Sequence, residues 1–333
     1  MSTLVSVVLP VYNNQQDLIR CIESLRSQTL KEWEAVCVDD GSIDDSGKIL
    51  DDIANIDSRF HIIHQKNGGV ACARNIALSH VSAPYVTMLD ADDCLQHDAL
   101  ERMLLFFRDQ AVDMIITSMV KIRKDGRVIN STLPLPAGIL RFKVDYFFTL
   151  LPSVPWAKLY KTDIIRNHAI RFPEEMKMGE DAVFVAQYCC YVKNIYVLHE
   201  PLYVYDAASQ TSVSQRFCMG VLSSEIYSRT LGLAALIYRL ISQRRDSLHD
   251  LEQWKKHLLK IHLIEHNWII NFISHSNEVK KQLKIVSQKH YSFLAEGVPH
   301  KVLFSLKFKA YCSLIKGKLR RFAGKIKRLF LFK

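Results

Sequence analysis

Three carboxylates, Asp90, Asp92 and Asp93, stand within four positions at the end of the apolar run Tyr85-Val86-Thr87-Met88-Leu89. Clustered carboxylates repel one another, and their hard oxygens suit Mg2+ or Mn2+ holding a phosphate. A solvated strand-end turn would use the same residues without a ligand. A second acidic turn, Asp39-Asp40-Gly41-Ser42, follows Trp33–Val38. Asp40 is the candidate to bond a nucleobase N–H, with Asp39 in support and Tyr12 covering the ring. The competing reading is a polar turn that caps a helix. Gly68-Gly69 precedes a third helical stretch, whose amino terminus can face phosphate or sugar. Arg74 lies one turn inside it, aimed at a ligand or at a carboxylate.

The elements that must position these groups alternate from the start. Leu4–Leu9 reads as a strand stopped by Pro10. The loop Val11-Tyr12-Asn13-Asn14 leads into a helix with Leu18, Cys21, Ile22 and Leu25 on its buried face. Trp33–Val38, Phe60–His64 and the Tyr85 run are further strands. Between them the helices carry Ile49, Ile53 and Ile56, and then Val70 to about Ser79. A helix through Leu100, Leu104 and Phe107 and a strand at Met114–Thr117 follow. Such alternation predicts a doubly wound α/β domain. Its ligand loops, Pro10–Asn14, Asp39–Ser42 and Asp90–Asp93, share the carboxyl edge of one sheet.

After residue 120 the rhythm breaks. Lys124-Asp125-Gly126 reads as a hairpin turn, Pro134, Pro136 and Gly138 as a loop, and about 143–151 as a helix. Glu180-Asp181 opens a helix after the loop from Phe172. Residues 215–300 read as mainly helical. The expected domains are therefore 1–120, 121–214, 215–300 and a basic amphipathic tail, 301–333.

At 333 residues, 49% of them hydrophobic, the chain can bury a full core. Its eight cysteines include no CxxC pair, which favours core packing over zinc or disulfides. Met1–Val8 has no basic leader and reads as a strand, not a signal peptide. Leu231–Ile237 is too short to span a bilayer, which takes about 20 apolar residues. Residues 1–120 carry 9 basic and 18 acidic side chains within a total of +10, and 301–333 holds 11 Lys or Arg and no acid. The two ends are thus built for different partners. Bulky apolar residues threaded through the basic tail suit an interfacial helix on anionic lipid; a solvated helix packed on its own domain is the alternative. No nucleic-acid module accompanies the charge.

Taken together, Val5-Ser6-Val7-Val8-Leu9-Pro10-Val11-Tyr12-Asn13, Val38-Asp39-Asp40-Gly41-Ser42, Asn67-Gly68-Gly69 with Ala73-Arg74-Asn75, and Leu89-Asp90-Ala91-Asp92-Asp93 resemble a bacterial family 2 glycosyltransferase. Trp156-Ala157-Lys158-Leu159-Tyr160 and Gly179-Glu180-Asp181 extend the likeness, which ends near residue 215. The resemblance implies a GT-A fold: a Rossmann-like, mostly parallel sheet flanked by helices, followed here by a mainly helical region. It implies an inverting, metal-dependent transfer of a sugar from a UDP-sugar to a glycan or glycolipid, in bacterial capsule, exopolysaccharide or lipopolysaccharide synthesis. Pro10, Val11, Tyr12, Asn13, Asp39, Asp40, Gly69, Arg74, Asp90 and Ala91 would hold the donor. Asp92 would be the main ligand of Mn2+ or Mg2+, with Asp90 on the ribose or the metal and Asp93 behind them. Asp181, beside Glu180, would be the catalytic base, and Trp156 and Lys158 would shape the sugar and acceptor pocket. His199 reads as a packing residue before a metal neighbour. The enzyme is expected in the cytoplasm, peripheral on the inner face of the membrane.

Two other readings stay open. A nucleotidyltransferase would carry a glycine-rich basic loop after the first strand, and Pro10–Asn14 has none; no GxGxxG follows Leu9 either. A non-catalytic nucleotide-sugar-binding assembly protein would be expected to lose a carboxylate, yet Asp40, Asp90, Asp92 and Asp181 are all present.

Overall fold

The computed structural model describes residues 2–108, 111–123, 125–142, 154–176 and 180–208. The chain divides into two compact units, Met1–Val221 and Leu222–Lys333, and every described residue belongs to the first. The helix expected near 143–151, the helical region 215–300 and the basic tail 301–333 lie outside the described residues.

Strands β1 (Val5–Val11) and β2 (Trp33–Asp39) are buried at all their positions. Both faces of a parallel sheet are covered, so its central strands need no alternation of apolar and polar residues. With β3 (Phe60–His64) and β4 (Tyr85–Met88) they form a parallel quartet in the order β3-β2-β1-β4. Its crossovers are α1 (Leu18–Arg26), α2 (Ser46–Ile56) and α3 (Val70–His80). Leu18, Cys21, Ile22 and Leu25 are buried at the expected spacing. On α2 the buried apolar residues are Leu50 and Ile53, whereas Ile56, in the last turn, is 73% exposed.

The chain continues through β5 (Cys94–Leu95), α4 (Ala99–Leu105), a 3-10 turn at Phe106–Arg108 and β6 (Met114–Ile122). Next come β7 (Val128–Ser131), β8 (Gly138–Arg141), β9 (Lys158–Lys161), α5 (Thr162–Asn167), α6 (Glu180–Cys189) and β10 (Asn194–Asp206). All ten described strands join one sheet, ordered β3-β2-β1-β4-β9-β6-β10-β5, with β7 on β6 and β8 on β10. Parallel pairing holds through β4. Beyond it β9 runs antiparallel to both β4 and β6, and β10 returns parallel to β6. The sheet is therefore mixed, a parallel half joined to a half with antiparallel pairs. β6 and β7 form the hairpin expected here, pairing Ile122 with Val128. Gly138, read as loop, begins β8. Among the described residues no helix is long and apolar enough to cross a membrane. Of the six described cysteines, Cys21, Cys37, Cys94 and Cys189 are buried.

One glycine is demanded by the turn that ends β2. Gly41 has φ +73°, and a Cβ there would lie 2.8 Å from the backbone nitrogen of Asn67 and 3.2 Å from the carbonyl of Gln65. Left-handed backbone and a backbone clash both oppose a side chain. Gly41→Ala is expected to lower unfolding stability by about 1–3 kcal/mol. A denaturant titration checks this, and an unchanged midpoint would contradict it.

Candidate active site

At the carboxyl edge of the parallel quartet, loops from β1 and β2 are zipped together. The Asn13 N–H donates to Ser42 Oγ at 3.0 Å, and Asn13 Oδ1 accepts from the Ile43 N–H at 2.8 Å. Asn13 itself sits at φ +48°, a conformation Asn tolerates better than most residues. Pro10 and Val11 are buried in β1 below this loop, while Tyr12 is 47% exposed. Asp39 Oδ1 accepts from the Ser42 N–H at 3.0 Å. Asp40 is buried, and its carboxylate accepts from Gln65 Nε2 at 2.6 Å and from the N–H groups of Gly68 and Gly69 at 2.7 and 2.8 Å. Asp40 thus ties the end of β2 to the turn that starts α3. A carboxylate offers about four lone-pair sites, so these three donors leave room for one more.

The Asp90–Asp93 turn begins two residues beyond β4 and is braced from behind. Asp93 is fully buried; it accepts from Tyr203 Oη at 2.6 Å and from the Asp206 N–H at 2.8 Å. Burial, with Asp90 and Asp92 nearby, holds its carboxyl well above the usual range. Arg20 of α1 donates to the Asp92 carbonyl at 2.9 Å and pairs with Asp206 at 2.9 Å. Trp156 stacks on Tyr203 with ring centres 4.6 Å apart, which places it in this buried brace. Ala91 is buried in the turn itself. In front, the Asp92 carboxyl is pushed up to about 7 by burial and by Asp90.

Asp90, Glu180 and Asp181 meet on one residue. Arg74, 3% exposed, places Nη2 2.8 Å from Asp90 Oδ1 and Nη1 2.5 Å from Asp181 Oδ1, with Glu180 Oε1 at 3.9 Å. Of the two partners the sequence offered Arg74, the carboxylate is the one it holds here. Its guanidinium also lies 5.2 Å from the centre of the Phe172 ring, and Nε is buried without a hydrogen-bond partner among the described residues. Although 27% of the Asp181 side chain reaches solvent, the surrounding protein pushes its carboxyl up to about 7 against the pull of Arg74. Below the pair, Lys158 is fully buried; Nζ donates to the Val154 carbonyl at 2.6 Å, and burial brings its ammonium down to about 7. Lys158 and Trp156 therefore support the site from within. His199 lies 2.6 Å from the Leu135 carbonyl, a packing contact as expected.

Sequence reasoning missed Tyr203, Asp206 and Arg20. Tyr203 alternates with Tyr205 in a strand pattern that could have been read; nothing in α1 marks Arg20. Among the described residues no group of three His, Cys, Asp or Glu side chains could hold a metal by itself. Asp90 and Asp92 nonetheless fit a divalent cation whose remaining positions are filled by ligand oxygens and water, the usual manner of Mg2+. A cation there would relieve the repulsion that raises Asp92.

The described architecture is shared with known proteins. S. aureus TarS residues 1–349, crystallised with UDP-GlcNAc, superposes with a TM-score of 0.75 at 20% identity, covering 96% of this chain and 92% of that one. The putative glycosyltransferase EpsH of Bacillus subtilis is 28% identical over 260 residues, 76% of this chain and 72% of EpsH. A teichoic acid poly(glycerol phosphate) polymerase of Staphylococcus epidermidis is 30% identical over 225 residues, 63% of this chain but 30% of the polymerase. The model of glycosyl transferase family 2 matches residues 6–167, a span that runs from Ser6 in β1 to the end of α5 and takes in Asp39, Asp40, Asp90, Asp92 and Asp93 but not Glu180 or Asp181. Together the family match over 6–167, the EpsH likeness and the shared GT-A fold support a bacterial family 2 glycosyltransferase.

Proposed function

We propose that this protein is a metal-dependent inverting glycosyltransferase that moves a sugar from a UDP-sugar to a glycan or lipid-linked acceptor in cell-surface polysaccharide synthesis. The observation that carries the reading is Arg74 joined to both Asp90 and Asp181. One guanidinium spans the carboxylate that would serve the leaving group and the carboxylate that would serve the attack. UDP-GlcNAc in the similar TarS structure and the teichoic acid made by the similar polymerase support the donor and the cell-surface setting.

In this reading the base enters between Tyr12 and the Asp39–Asp40 turn, and Asp40 takes its N–H as a fourth donor. The diphosphate lies over the start of α3, whose first-turn N–H groups favour anions, while the Gly69 N–H stays with Asp40. Asp92, with Asp90, would hold Mn2+ or Mg2+, and the bound ion would supply Lewis-acid stabilisation of the charge on the departing diphosphate. Asp181 removes the proton of the acceptor hydroxyl as that oxygen attacks from the opposite face. A carboxyl raised to about 7 is well matched to this task near neutrality. Glu180 and Arg74 set its orientation and charge. One in-line displacement inverts the anomeric centre.

The test is a panel of UDP-sugars incubated with the protein with and without Mn2+, reading released UDP. Metal-dependent release from at least one sugar is expected. A protein that binds UDP yet turns over no sugar with any acceptor would favour the assembly-protein reading instead.

A further inference from the structure

His64 is the last residue of β3 and carries no expected role, yet both its ring nitrogens face carboxylates. Nδ1 lies 2.9 Å from Asp39 Oδ2, and Nε2 lies 3.0 Å from Asp51 Oδ1 on α2. A carboxylate only accepts, and a neutral imidazole has a single N–H to give. The two contacts can both be hydrogen bonds only when the ring carries two protons and a positive charge. Asp39 from β2 and Asp51 from α2 are the charged groups that face it, and both favour that charged form. The helix comes close because residue 47 is glycine: a Cβ there would lie 3.0 Å from Asp39 Oδ2 and 3.6 Å from the His64 ring.

The contact leads onward. Burial opposes a charge on Asp39, yet its bonds to Ser42 and His64 hold its carboxyl below the usual range. From Asp39 the run continues through the Ser42 N–H and Ser42 Oγ to the Asn13 N–H, so α2, β3, β2 and the β1 loop are joined in series. Those last two segments form the walls of the nucleoside pocket. We propose that His64 is a positioning residue of that pocket, an imidazolium held between Asp39 and Asp51 whose charge fixes the Asp39–Ser42 turn in the shape that receives the donor's base. The inference rests on the donor-binding reading above. It makes nucleoside affinity depend on pH through a residue that does not itself touch the ligand.

The sign follows from the geometry. Below the pKa of His64 both carboxylates have their donor. Above it the ring loses a proton and its charge, and the bond to Asp39 falls from ion–ion to ion–neutral strength, about half. Affinity is therefore highest at the acid end of the imidazole range and falls as pH rises through it.

Uridine is the probe, because it carries no phosphate or metal to titrate alongside the protein. Its affinity for the full chain is measured by titration calorimetry at steps between about pH 6 and pH 8. The parent is expected to weaken roughly threefold to tenfold across that range. His64→Gln, which keeps a donor but cannot gain charge, is expected to bind at the parent's high-pH level with a flat profile. Asp51→Asn, at an exposed position of α2, should move the midpoint to lower pH while leaving the low-pH affinity intact, and it serves as the test even if His64→Gln folds poorly. A flat parent profile, or an Asp51→Asn profile that superposes on the parent's, overturns the role of His64 alone. Absence of uridine and UDP binding at every pH overturns the donor-pocket reading as well.

Discussion

Asp181→Asn is expected to lower the turnover rate by about 10^2–10^4-fold, the usual worth of a positioned general base, while UDP affinity changes by less than roughly twofold. The amide keeps the shape of the carboxylate and its contact with Arg74 Nη1, now 2.5 Å from Asp181 Oδ1, but cannot take a proton. The pH profile gives a second, independent signature. The carboxyl titrates near about 7, and only the ionised form is a base, so the parent's rate should rise with pH through that region and then level. In Asp181→Asn the ascending limb should vanish from the residual rate. Steady-state assays of UDP release across pH check both statements. A variant with parental turnover would remove Asp181 from the mechanism.

Asp92→Asn should separate function from stability. In activity, the loss of the main metal ligand removes several kcal/mol of charge stabilisation on the diphosphate, a drop of more than about a hundredfold. The Mn2+-dependent gain in UDP affinity should disappear with it. In stability the change should run the other way. Burial and Asp90 raise the Asp92 carboxyl to about 7 in the folded protein, above its value in an unfolded chain. An acid raised by folding penalises the folded state once it is ionised, and that penalty is complete above the folded pKa. Without metal, at pH above about 7, the Asn variant should melt higher by roughly 2–4 °C. Added Mn2+ should raise the melting point of the parent and not of the variant. Stability–activity opposition of this kind is expected where a site keeps like charges together for a ligand. Thermal melts with and without Mn2+ decide the matter; a destabilised, still Mn2+-responsive variant would contradict the assignment.

The sequence was most informative where chemistry and local structure coincide. The runs around Leu9, Val38 and Met88 are continuous and apolar because parallel strands are buried on both faces, so each strand and the acidic turn after it could be read together. Asp39, Asp40, Asp90 and Asp92 were legible for that reason. Trp156 and Lys158 were legible as family positions, but their burial was not. A lysine that donates to backbone carbonyls under the sheet looks the same in sequence as one at a pocket wall. β10 was harder still. Pro201 interrupts its pattern, and its pairing with β6 slips on either side of that proline, as a residue without an N–H requires. The brace from Tyr203 and Asp206 to Asp93 joins residues about a hundred positions apart, and no local periodicity announces such a contact. Arg74 and His64 teach the same point: each is defined by two carboxylates brought from separate elements, and only the folded sheet makes them neighbours.

The carboxylate turn and the β2 loop together are expected to bind a nucleoside diphosphate with a metal. Titration calorimetry of UDP into the parent protein, with Mn2+ and with a chelator, measures this directly. The prediction is binding that Mn2+ tightens by at least about tenfold, lost in Asp92→Asn and kept in Asp181→Asn. No heat of binding under either condition, or an affinity indifferent to both Mn2+ and Asp92, would contradict it.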